Sequence, residues 1–159
     1  MLHRAPNNKK TGFTIIEVMI VLAIAGIIML LVFLAIPALQ RNNRNTQLRS
    51  DVANVLGYVS EYTSNHNGGL PGAVVIDPVG SGVVMMGATI GTVEKVGNIR
   101  AGTDVELDTA TTPSTTTIVL LTNNQCNGPN AAPGGGSRSI VATYHVETAG
   151  GTTVQCQAS

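Results

Sequence analysis

Nineteen consecutive residues, Val18 to Ile36 (VMIVLAIAGIIMLLVFLAI), carry no charged or strongly polar side chain. As a helix, a run of this length comes close to the roughly 20 residues that cross a bilayer core. A buried helix of such uniformity would be unusual in a soluble chain of 159 residues. The run therefore reads as a membrane segment or a signal sequence. An ordinary secretory signal also places basic residues before an apolar run, and a cut after Ala38 would release a soluble secreted binding protein. Two features count against it. The run exceeds the usual length of about 7–15 residues, and Glu17 stands at its start, where a carboxylate at membrane depth is costly unless paired. Basic residues flank both sides, Arg4, Lys9 and Lys10 before and Arg41, Arg44 and Arg49 after. The excess of cytoplasmic Lys and Arg that usually orients a span is thus a tie.

The residues leading into the run are Lys9-Lys10-Thr11-Gly12-Phe13-Thr14-Ile15-Ile16-Glu17-Val18-Met19-Ile20-Val21. They combine a short basic leader ending in Gly12, an aromatic Phe13 and a carboxylate four residues later, with an apolar helix running on through Gly26. This combination resembles the class III signal of type IV pilins and pseudopilins. The resemblance implies cleavage between Gly12 and Phe13 by a membrane-embedded prepilin peptidase that usually N-methylates Phe13. It implies as further partners an assembly ATPase, a platform protein and other copies of the chain in a homopolymeric helical filament. It also implies a single-pass membrane precursor that ends in an extracellular pilus, serving adhesion, twitching motility or DNA uptake. Glu17 has a physical argument of its own. A carboxylate in apolar surroundings demands a positive partner, and cleavage creates one, the amine of Phe13. A neighbouring subunit shifted along the filament could present its amine to the same carboxylate, setting register as a buried polar residue does in a coiled coil. A Glu17 that snorkels to the interface without a partner is the bland reading.

Downstream the pattern changes. Gly26 and Pro37 are weak points in the apolar helix; the resemblance implies that the helix between them can loosen in filaments, and Pro37 can kink it. From Leu48, apolar residues recur at three- and four-residue steps through Val52, Val55, Leu56, Val59 and Tyr62, which marks an amphipathic helix. It stops at the breakers Asn65-His66-Asn67-Gly68-Gly69-Leu70-Pro71-Gly72. Beyond them lie short β-like runs: 73–76, 82–86, 90–96, 116–122, 139–147 and 152–157. In the fifth, Ile140, Ala142, Tyr144 and Val146 alternate with Val141, Thr143, His145 and Glu147, as in a half-buried strand. The expected architecture is α+β: a cleaved leader (1–12), an apolar membrane or filament-core helix (13–40), an amphipathic helix (41–67) and a β-rich head (68–159). The apolar half of the helix protrudes and the amphipathic half packs on a small antiparallel sheet.

In an exported protein the pair Cys126 and Cys156 reads as a disulfide, with two buried thiols as the alternative. It would enclose an exposed loop from Asn127 to Gly136. Charged residues make up 11% of the chain, against roughly 25% in a typical soluble domain, which fits surface display better than a cytosolic enzyme. Nine basic residues balance nine acidic ones, but three of the basic ones lie in the first ten positions. The remaining chain is mildly acidic, so nothing in its charge supports nucleic-acid binding. His3, His66 and His145 lie scattered, no zinc-ligand spacing or phosphate loop occurs, and no nucleophile–base set suggests an enzyme or a cofactor. Asp104, Glu106 and Asp108 alternate and are weak calcium candidates; an exposed strand edge is the plainer reading. The sequence thus points to a structural pilus subunit. Its rivals are a pseudopilin of a type II secretion or competence apparatus, the secreted protein above, and an anchored chain that never polymerises.

Overall fold

A computed structural model describes residues 12–108 and 112–159. Of the sequence-based expectations, those on the leader residues Arg4, Lys9 and Lys10 and on His3 lie outside the described residues. The chain divides into two compact units, Met1–Leu39 and Gln40–Ser159. Helix α1, Ile15–Asn65, contributes to both.

In the first unit the described residues are exposed throughout. The helix contains Pro37 without interruption, although the ring removes one amide donor. The sequence left loosening and kinking open at this point; the helix runs continuously across it. Gly26 has open space where a Cβ would stand.

In the second unit α1 buries Leu48, Val52, Val55, Leu56, Val59 and Tyr62, the stripe that the three- and four-residue spacing predicts. Asn67, in the left-handed region at φ 54°, ends the helix. There the Gly68 amide donates to the Thr63 carbonyl at 2.8 Å, the six-to-one bond that closes a helix C-terminus.

The rest of this unit is built from strands. β1 (Ala73–Ile76), β2 (Val83–Gly87) and β3 (Glu94–Asn98) form an antiparallel sheet in that order. A second sheet has the order β4 (Asp104–Leu107), β5 (Thr117–Thr122), β8 (Ile140–Thr148), β9 (Gly151–Ala158). Between β5 and β8 the chain makes a hairpin of β6 (Asn124–Asn127) and β7 (Asn130–Pro133). The buried face of α1 forms one core with Val74, Ile76, Val84 and Met86 from the first sheet and Ile118, Leu120, Ile140, Ala142 and Tyr144 from the second. The α+β architecture expected from the sequence is thus present.

Four details differ from the reading of the sequence. The run 90–96 is not one strand: Ile90–Thr92 is a 3-10 turn braced by reciprocal Thr89 and Thr92 bonds, and β3 begins only at Glu94. That polar strand is held from α1, where the Tyr58 hydroxyl donates to the Asn98 carbonyl at 2.8 Å and accepts from the Asn98 amide at 3.2 Å. The second sheet is not wholly antiparallel, since β4 pairs with β5 in parallel. The expected loop after Cys126 is the β6–β7 hairpin, whose two-residue turn begins with Gly128 at φ 63°, as a type II′ turn requires. Finally, β8 is buried on both faces up to Tyr144. Ile140, Ala142 and Tyr144 face the main core, while Val141 and Thr143 are buried on the side where the hairpin packs against β8 and β9.

Polar staples hold α1 to the strands within this unit. Arg44 donates from Nε and a terminal nitrogen to the two carboxylate oxygens of Glu147, at 2.8 and 2.6 Å. Asn45 donates to the Glu147 carbonyl at 2.7 Å and accepts from its amide at 2.8 Å. The hydrogen bonds from Arg44, helped by the charges of Arg44 and Arg41, hold the Glu147 carboxyl below its ordinary pKa, and the same bonds raise that of Arg44. Asp51, 5% exposed, accepts from the Arg100 amide at 3.2 Å and from the Thr103 hydroxyl at 3.0 Å. The Arg100 guanidinium, 3.7 Å away, balances its charge.

Candidate functional site

The features singled out in the sequence meet at the start of α1. Gly12, Phe13 and Thr14 are non-helical and exposed, so the bond between Gly12 and Phe13 lies in accessible, irregular backbone. The helix begins at Ile15 because Thr14 caps it. The Thr14 amide donates to Glu17 Oε2 at 2.9 Å, and its hydroxyl donates to the same oxygen at 2.7 Å. The Glu17 amide approaches the Thr14 hydroxyl at 3.4 Å. This is a capping box, Thr at the N-cap and Glu three residues on, which answers amides that the first turn leaves unpaired. Phe13 and Val18 occupy the flanking positions where a hydrophobic pair commonly brackets such a cap.

Glu17 is the only charged residue from Gly12 through Gln40. It borders a notch of about 410 Å³ whose other lining residues are Phe13, Val18, Val21 and Leu22. Both Thr14 bonds end on Oε2. The helix beyond, with a mean hydropathy of 3.2 over its most apolar 18 residues and none of that stretch buried, is long and apolar enough to cross a membrane. Apolar walls with one carboxylate at their edge suit a cationic group carried on an apolar body.

The residue that the sequence reasoning passed over is Thr14. Its signal was available, a Thr-x-x-Glu directly ahead of an apolar run.

The other candidates lie elsewhere. Cys126 and Cys156 form the disulfide expected for an exported chain, with Cα atoms 5.6 Å apart, and it ties β6 to β9. Asp104 and Glu106 belong to β4, but Asp108 follows the strand at φ 47°. It accepts from the Thr122 amide at 2.7 Å and the Thr122 hydroxyl at 2.5 Å. Among the described residues no group of three or more His, Cys, Asp or Glu is placed to hold a metal ion. His66 stacks on Tyr62 with ring centroids 3.9 Å apart, and His145 is half-buried in β8.

The family model of the prokaryotic N-terminal methylation motif matches residues 7–33. No curated protein and no solved structure matches the chain. The matched segment contains the exposed Gly12–Phe13 junction, the Thr14 cap and Glu17, and it extends into the long apolar helix α1. Residues 7–33 thus carry the class III signal found in type IV pilins and pseudopilins.

Proposed function

We propose that this protein is a filament-forming pilin. It enters the membrane as a precursor, is cut after Gly12, and assembles with copies of itself by packing of residues 13–40. The observation that carries this reading is an apolar helix, exposed along its whole first unit, with a single charge, Glu17, at its start. Such a surface must be covered, by lipid in the precursor and by like helices afterwards. In the assembled state the amine of Phe13 on a neighbouring subunit pairs with Glu17, which neutralises both charges and selects one axial offset. The motif also implies a prepilin peptidase and assembly machinery; an ATPase and a platform protein are the proposed components.

The test is mass spectrometry of the mature chain together with electron microscopy of material sheared from cells. A chain beginning at Phe13 and carrying one added methyl group, recovered in sheared filaments, is the expected result. Glu17→Ala is expected to insert and be cleaved but to yield few filaments. A chain beginning near Leu39 would sink the reading. The methylation motif also serves pseudopilins, and a cleaved chain retained at the membrane without sheared filaments would favour that second reading.

A further inference from the structure

Resting on the filament reading, we propose that Thr14 is a positioning residue for assembly: it holds one oxygen of Glu17 so that the other meets the ammonium of a second copy. The amide and the hydroxyl of Thr14 both donate to Oε2, and among the described residues no hydrogen bond reaches Oε1. The carboxylate is thereby divided between two tasks. Oε2 closes the capping box of its own helix and Oε1 is left for a second donor, and the residue borders the notch lined also by Phe13, Val18, Val21 and Leu22.

Two physical consequences follow. An unrestrained glutamate loses several rotamers when it pairs, which opposes association. Here that ordering occurs within the subunit, before any partner arrives, so less is lost on binding. The second consequence concerns solvation. A carboxylate entering an apolar helix bundle must keep hydrogen-bond donors, and the two from Thr14 travel with it through the membrane stage. The group that Oε1 then accepts is an ammonium on an apolar residue, the processed Phe13 terminus of a second copy. The notch supplies apolar contact on one side and negative charge on the other.

Three substitutions separate this role from simple helix capping. Thr14→Ser keeps the hydroxyl. Thr14→Val keeps the shape without it. Thr14→Gly also lacks the hydroxyl, yet glycine caps helices almost as well as threonine. Sheared-filament yield, membrane insertion and the mass of the N-terminal peptide are measured for each variant in the full-length chain. The expected result is Ser within about twofold of wild type, and Val and Gly lower by about tenfold, with all three inserted and cleaved at Gly12. Filaments at wild-type yield from the Gly variant would reduce Thr14 to a cap and overturn the proposal. A Ser variant as poor as Val would overturn it too, because the side-chain shape would then be what matters. Accumulation of uncleaved Val precursor would place the defect at the peptidase, with the same consequence. Absence of filaments from wild type would instead overturn the filament reading beneath the proposal.

Discussion

Arg44 and Asn45 adjoin each other on α1 and both grip Glu147, one by its carboxylate and one by its backbone. The planar fork of the guanidinium matches the two carboxylate oxygens, and the lowered Glu147 pKa follows from that match. The sign of the linkage is set by the direction of that shift. A carboxyl held below its ordinary pKa contributes stability that is complete above about pH 4.3 and is lost as pH falls through the lowered value. The melting temperature of the detergent-solubilised chain is therefore expected to drop between about pH 5 and pH 3, and Glu147→Gln is expected to flatten part of that drop. An unchanged acid limb in the variant would remove the pair from the account. Not every such residue could be read in advance. Thr14 and Glu17 are three residues apart and spell a local signature. Asp51 and Thr103 lie 52 residues apart, and no spacing rule announces that a helical aspartate will be buried against a distant threonine.

At the scale of elements, periodicity was most informative where one face of an element meets one core. The stripe from Leu48 to Tyr62 is buried residue for residue. Where two faces meet different neighbours, the pattern misled. Alternation along β8 suggested a solvent face, but the β6–β7 hairpin packs against β8 and β9, on the side of Val141 and Thr143. The hairpin strands, Asn124–Asn127 and Asn130–Pro133, are too short and polar to announce themselves; it is the Cys126–Cys156 bond that ties them down. That bond closes a separation of 30 residues, worth about 3.5 kcal/mol on the chain-entropy model. The main core contains no hairpin residue. Cys126→Ser with Cys156→Ser is thus expected to leave α1 and both larger sheets folded while exposing 124–133 to protease. Hydrogen exchange read by peptide is the check, and uniform loss of protection across the head would contradict it.

On the scale of the whole molecule, one helix serves two units with different surroundings. From Leu48 onward its buried stripe has a core of its own; before Gln40 its apolar side chains are exposed. The full-length chain is expected to be monodisperse in detergent and to associate when detergent is withdrawn, as light scattering after size exclusion would report. A stable monomer in plain buffer would contradict the apolar-helix account. The hairpin carries a consequence of a different kind. Its turn, Asn127 to Asn130, is exposed, supplies nothing to the main core, and is secured by a covalent bond rather than by its own packing. Substitutions there escape the folding constraint that polices the interior, so its chemistry is free to drift under whatever meets it from outside.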